Sequence, residues 1–163
     1  MKGVDNPEFH ELLKSRFGIE DFPKDAPPFV PASRHRALTG LLASEHGYTL
    51  YDFLVASHWP AVVSKKEDDP GDPEHYEVTT GLRIPARGSK LAVWRVRVEI
   101  DGTMPSIVDL FAGADWQERE QFDLVGVRFS RHPDMRRIML PEDWDGHPLR
   151  RDYAIDTPHP PWR

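Results

Sequence analysis

The sequence predicts an α+β fold: a two-layer domain with helices on one face of a small, mixed or mostly antiparallel sheet, then a short helix and an extended C-terminal tail. Three observations carry this reading. Two helix-period apolar stripes occupy residues 6–46, three strand-period segments follow up to about residue 100, and periodicity is lost beyond Gly126. The expected division is a two-layer α/β domain over residues 1–114 and a motif helix plus arginine- and proline-rich interaction tail over residues 115–163.

The first helix is expected from about Asn6 to Phe17. Asn6 can accept from the free amides of the first turn, Pro7 suits the first helical position, and Gly18 is a natural stop. Phe9, Leu12, Leu13 and Phe17 fall on one face. Residues 19–32 are punctuated by proline, with a short strand at Phe29-Val30. Ser33 is the expected cap of a second helix over about 34–46, with a Leu38, Leu41, Leu42 stripe and Gly47 as its end.

Three strands come next. Tyr48 to Ser57 carries apolar residues on both faces, the pattern of a central strand, with Asp52 as an exception that needs a partner. Tyr76 to Ile84 alternates, with Tyr76, Val78, Leu82 and Ile84 on one side, and Ala92 to Ile100 alternates again. Residues 85–90 make the hairpin loop between these two. Residues 65–73 hold charge, Pro and Gly but no apolar side chain, and read as an exposed, mobile loop.

The second half differs in kind. Ser106 with Asp109, and Asp115 with Glu118, look like capping pairs of two short helices, the second over about 116–125. From Asp115 to Arg163 there are eight arginines and no lysine, six prolines, and three of the five tryptophans. Arginine offers a planar fork for bidentate pairing. Arginine, tryptophan and proline without a core pattern describe a segment that lies extended on another surface.

Composition narrows the chemistry. The 163 residues carry no cysteine, which excludes disulfides, thiolate nucleophiles and any iron–sulfur cluster held by this chain's own thiolates. A net charge of −6 disfavours nucleic acid and anionic lipid as partners, and no stretch approaches the ~20 apolar residues of a membrane span. Nothing near the start reads as a targeting segment. Glu118, Glu120 and Asp123 with His132 could be imagined as a hydrolytic acid/base or metal set. No HExxH or ExxH spacing exists, so ion pairs and capping are the favoured reading. His132 and His147 each precede proline, as turn residues do. Arg136-Arg137 and Arg150-Arg151 lie among acidic residues and are expected to pair with protein carboxylates.

The run Glu118-Arg119-Glu120-Gln121-Phe122-Asp123-Leu124-Val125-Gly126 resembles a known motif: E-R-E, two variable residues, an acid and two apolar residues. The motif is that of the thirty-kilodalton subunit of proton-pumping NADH–quinone oxidoreductase, respiratory complex I. The likeness continues through His132-Pro133-Asp134-Met135-Arg136-Arg137 to Trp144, and through Gly146-His147-Pro148-Leu149-Arg150-Arg151-Asp152-Tyr153. Pro105 to Leu110 and Ala114-Asp115-Trp116 also look like the family, whereas residues 1–101 match only in element order. Val125 stands where an aromatic residue is frequent, and Phe122 where tyrosine is common.

The resemblance implies a non-catalytic subunit of the peripheral arm, packed against the large quinone-site subunit and near the cluster-bearing subunits. It implies no cofactor in this chain, with FMN, iron–sulfur clusters and quinone elsewhere in a hetero-oligomeric complex. It also implies a peripheral location on the cytoplasmic face of a bacterial inner membrane. Related membrane-bound hydrogenases and ferredoxin-driven complexes use a similar subunit. The residues expected to form the structural motif and subunit interface are Glu118, Arg119, Glu120, Asp123, His132, Arg136, Arg137, Trp144, His147, Arg150, Arg151 and Trp162, with none catalytic, cofactor-binding or metal-ligating.

Overall fold

A computed structural model describes residues 6–64, 70–86, 88 and 91–154. The elements run α1 (Pro7–Phe17), α2 (Ala32–Glu45), β1 (Leu50–Trp59), β2 (His75–Arg83), β3 (Leu91–Glu99), β4 (Thr103–Pro105), α3 (Ala114–Leu124) and β5 (Arg128–Ser130). The α+β class holds. β1, β2 and β3 form an antiparallel sheet in that order, while β4 and β5 pair in parallel as a separate ribbon.

Asn6 caps α1 by accepting from Phe9 N–H (3.2 Å), and its side-chain amide donates to the Tyr48 hydroxyl (2.9 Å), tying the helix to the start of β1. Phe9 and Leu13 go inward, as their spacing requires. Ser33 does not cap α2: the helix begins one residue earlier behind Pro31, with no side-chain cap bond. Leu38 and Leu42 of α2, Leu82 of β2, and Trp94 and Val96 of β3 are fully buried together. Each such side chain contributes ~1.5–3 kcal/mol of burial, which outweighs the missing cap. His35 is buried with them, accepts from the Trp94 indole N–H (3.1 Å), and is pushed down to about 3 by burial.

The sequence expectation for β1 is corrected. It lies at an edge of the sheet, and β2 is central. Its outward side chains Val55 and Trp59 are 51% and 39% exposed, so apolar residues on both faces did not signal a buried strand. Asp52 sits at a register shift in the β1–β2 pairing and takes Arg83 as its partner (3.0 Å). Phe53 lies across the central strand at Gly81, where a Cβ would meet its ring at 2.5 Å. At the other edge, Phe29 makes an isolated parallel bridge to Arg95, flanked by Val30 N–H to Arg95 carbonyl and Arg95 N–H to Pro28 carbonyl (both 2.8 Å). The loop expected over 65–73 has residues 65–69 outside the described set; its flanks exchange two backbone bonds between Val62 and Asp72.

Two further expectations change. Ser106 and Asp109 begin no helix: the Ser106 hydroxyl accepts from Val108 N–H, and Asp109 makes a bidentate ion pair with Arg36 of α2. The extended tail expected after the motif helix begins with a short strand: β5 follows Gly126, with Val127 and Phe129 buried at it. The expected division between residues 114 and 115 falls in the first turn of α3. One hydrophobic cluster spans it, with Ile107, Phe111 and Ala114 before and Val125, Val127 and Phe129 after.

Candidate functional site

α3 closes the free edge of β1. Gln117 and Gln121 are one helical turn apart and project from one face. The Gln117 side-chain oxygen accepts from Leu54 N–H and from the Tyr51 hydroxyl; that of Gln121 accepts from Ala56 N–H at 2.9 Å. Leu54 and Ala56 are two residues apart, so their amides leave the sheet on the same side. Two glutamines thus satisfy amides that would otherwise offer a pairing edge.

Behind this face, Asp123 builds a clamp. Its carboxylate is fully buried. One oxygen accepts from the Arg137 guanidinium (2.7 Å), the other from three successive backbone amides: Ile138 (3.0 Å), Met139 (2.7 Å) and Leu140 (2.9 Å). Burial by itself would push this carboxyl up. The hydrogen bonds from Leu140, Arg137, Met139 and Ile138 outweigh it and hold the group below the ordinary carboxylate range. Arg137 then reaches on to the carbonyls of Trp144 and Gly146 (3.1 Å each). The Asp123 carbonyl takes a hydrogen bond from His147 Nδ1 (2.8 Å), and Leu149 N–H donates to the Leu124 carbonyl (2.9 Å). Residues 137–149 are therefore folded around the C-terminal turn of α3.

Glu118 faces the opposite way. It is fully buried, accepts from Ile107 N–H (2.8 Å) through one oxygen, and has no hydrogen-bond partner for the other among the described residues. Burial pushes it up to about 7; the Ile107 amide and the Ser106 side chain offset only part of this, and Asp115 and Asp109 push further up. It does not cap α3 with Asp115, because the helix has no side-chain cap bond. Arg119 donates to the Arg136 carbonyl (3.1 Å). His132 accepts from Asp134 N–H at Nδ1 (3.0 Å), which leaves Nε2 to carry the proton, 3.3 Å from Asp115. Glu120 is half-buried.

A second knot joins the end of the described tail to the sheet. Arg150 donates to both oxygens of Asp152 (2.8 and 2.7 Å), to Glu74 (2.9 Å) and to the Tyr76 hydroxyl (2.7 Å). Buried His58 bonds Glu74 through Nε2 (2.7 Å) and accepts from Arg151 N–H at Nδ1 (3.2 Å), while the Arg151 guanidinium lies over Trp59 (5.0 Å). His58, Glu74 and Asp152 each bring one ligand-type atom within 4.8 Å of the others. The Arg150 guanidinium already binds both carboxylates, supplying there the positive charge a cation would supply. Gly126, at φ +98°, lets the chain pass: a Cβ would meet the His147 ring at 2.9 Å and the Tyr76 hydroxyl at 3.0 Å.

The structure thus brings Asp123, Arg137, Trp144 and His147 into one clamp, and Arg150 and Arg151 into the knot. It does not bring Glu118, Glu120, Asp123 and His132 to a common point, so the hydrolytic set has no geometry. Arg136 pairs with Asp134 at the surface (2.7 Å), and Trp162 lies outside the described residues. Sequence reasoning missed Gln117, Gln121, His58, Glu74 and Tyr76. The glutamine spacing was a usable signal; the others meet the tail only through long-range packing.

A sequence model of the family described as "Respiratory-chain NADH dehydrogenase, 30 Kd subunit" matches residues 29–159. The NAD(P)H-quinone oxidoreductase subunit J of Synechococcus sp. (strain RCC307) is 51% identical over 71 residues, 41% of this chain and 40% of that protein. A NADH-quinone oxidoreductase subunit from Rhodopseudomonas palustris (strain BisB18) is 43% identical over 90 residues, 54% of this chain and 44% of that protein. The chain thus spans less than half the length of these relatives. Among solved structures, the trypsin-resistant fragment (1-134) of Nqo5 superposes with a TM-score of 0.53 at 24% identity, over 71% of this chain and 87% of that one. This last likeness bears on the fold alone.

Proposed function

This chain belongs to the family of the thirty-kilodalton subunit of respiratory-chain NADH dehydrogenase, and on that premise we propose that it is a structural subunit of an NADH–quinone oxidoreductase. In this reading it packs in the peripheral arm against the large quinone-site subunit, near the cluster-bearing subunits, on the cytoplasmic face of a bacterial inner membrane. Among the described residues no helix is long and apolar enough to cross a membrane. FMN, the iron–sulfur clusters and quinone belong to neighbouring subunits; this chain, without cysteine, offers no thiolate to a cluster.

The observation that supports the reading is where the motif directs its polar groups. Asp123, Arg137, His147 and Arg150 donate to and accept from this chain's own backbone and side chains. They fix the shape of residues 131–154, and none is left converging on a space where a substrate atom could react. The chain's contribution is a rigidly shaped surface, and electron transfer and ion pumping are properties of the assembly.

The test is co-purification. A tagged full chain, isolated in mild detergent from cells that make it, is expected to bring with it chains carrying FMN and NADH-oxidising activity, while the chain alone has none. Recovery of the full chain without flavoprotein partners, or turnover of NADH by the chain alone, overturns the proposal.

A further inference from the structure

The sequence leads one to expect a tail that grips a neighbour with its arginines. The structure turns Arg119, Arg137 and Arg150 inward, and other groups are left facing out. Three large apolar side chains stand in solvent along α3 and the segment folded over it: Trp116, in the first turn of the helix, is 69% exposed, and Met139 and Leu149, beside its last turn, are 61% and 60% exposed. Met139 and Leu149 are anchored to adjacent residues of the last turn of α3, Met139 N–H to the Asp123 carboxylate and Leu149 N–H to the Leu124 carbonyl. Trp116 stands two turns earlier than Leu124 on the same helix. Between Met139 and Leu149 the sequence holds Glu142, Asp143 and Asp145 and no Lys or Arg. All three are exposed and make no close ion pair among the described residues, although the Arg136 guanidinium acts on Glu142 from a distance. The backbone carrying them is fixed from inside, by Asp123 at 138–140 and by Arg137 at 144 and 146.

We propose that residues 139–149, with Trp116 of α3, form a docking surface for another protein subunit that presents apolar pockets rimmed by Lys or Arg. This rests on the subunit reading above and adds to it the face used and the chemistry of the partner. Large apolar side chains held in water on a rigid frame match the anchors of protein interfaces. The exposed carboxylates, of which Asp143 and Asp145 make no ion pair among the described residues, select a basic rim and repel an anionic membrane surface. Preformed backbone removes most of the ordering cost of binding.

The test uses the full chain, tagged, in cells that make the assembly, with a photo-cross-linking amino acid replacing Met139 or Leu149. The expected cross-link lands on a different protein, next to Lys or Arg. The triple variant Glu142→Lys, Asp143→Lys, Asp145→Lys is expected to lower incorporation into the assembly about tenfold or more, and the neutral Glu142→Gln, Asp143→Asn, Asp145→Asn to lower it less. The thermal midpoint of both isolated chains should stay at the parent value, separating docking from folding. Incorporation of the Lys variant at the parent level, a cross-link to a second copy of this chain, or one to a surface without basic residues overturns the proposal. If the parent chain is absent from any NADH-oxidising assembly, the subunit reading fails instead. The docking surface is then judged by the cross-linked partner's own charge and by its loss from the Lys variant.

Discussion

Glu118 and Asp123 are two buried carboxylates five residues apart on one helix, and folding treats them in opposite ways. Asp123 meets three backbone amides and a guanidinium, and is held below the ordinary carboxylate range. Glu118 meets one amide and the Ser106 side chain, has no partner for its second oxygen among the described residues, and is pushed up to about 7 by burial. Burial acts on both in the same direction. The number of donors that reach each decides the sign. The difference has a structural counterpart: the ionised carboxylate organises residues 137–149, whereas the raised one sits against a short turn after β4 and joins α3 to the body of the domain.

The largest expected effect breaks the Asp123 side of this contrast. Arg137→Ala leaves the buried carboxylate with only its amides and frees the carbonyls of Trp144 and Gly146. We expect a loss of about 2–5 kcal/mol in folding stability, read as a lowered chemical-denaturation midpoint, together with faster exchange of the 138–140 amides. A variant in which those amides stay protected would mean that the clamp does not depend on Arg137. The same site contributes to the acid limit. A group whose folded value lies below its ordinary 3.8 adds stability that is present above 3.8 and lost as pH falls through the folded value. Asp123→Asn is expected to remove this part of the acid transition in a urea series below pH 4; an unchanged acid limb would refute it.

Glu118 gives the opposite pH dependence. Its folded value of about 7 lies above its ordinary 4.5, so its contribution is fully present below 4.5 and lost as pH rises through 7. The full swing is about 3 kcal/mol. Glu118→Gln keeps an acceptor for Ile107 N–H and cannot ionise. It is therefore expected to gain on the parent chain at pH 8 and to differ little from it at pH 4.5. Equal stability differences at the two pH values would show that Glu118 does not titrate in this range. A smaller effect is expected from Gln121→Leu, which removes the acceptor of a strand amide at a cost of ~1–3 kcal/mol. Its readout is faster exchange of the Ala56 amide in β1.

How much of this was legible in sequence follows range of interaction. The Asn6 cap, the α1 stripe, the β2 and β3 alternation and the helix carrying Glu118 to Asp123 depend on neighbours within a few residues, and all were readable. The position of β1 was not. Its two apolar faces suggested a central strand, because nothing local reveals that α3 supplies its missing edge partners through Gln117 and Gln121. β5 was hidden for a similar reason: three residues are too few to show a period, and Val127 and Phe129 acquire meaning only beside β4. The motif residues stand out in the sequence as a group. Which of them turn into the clamp is not legible there, since arginine spacing does not say which carbonyls a guanidinium will meet.

The smallest predicted effect sharpens that last point. Arg136 and Arg137 are adjacent and chemically identical, yet Arg136 is 70% exposed and hydrogen-bonds Asp134, two residues away, while Arg137 is 16% exposed and holds the buried Asp123. A guanidinium in water pairs against strong competition from solvent and salt, and it orders nothing when its partner is already nearby in the chain. Arg136→Ala should therefore leave the unfolding midpoint within the spread of replicate measurements, at low and high salt alike. Its backbone carbonyl, which accepts from Arg119, survives the substitution. A substantial loss of stability would mean that the Arg136 side chain, and not only its carbonyl, carries the contact between α3 and the start of the clamp.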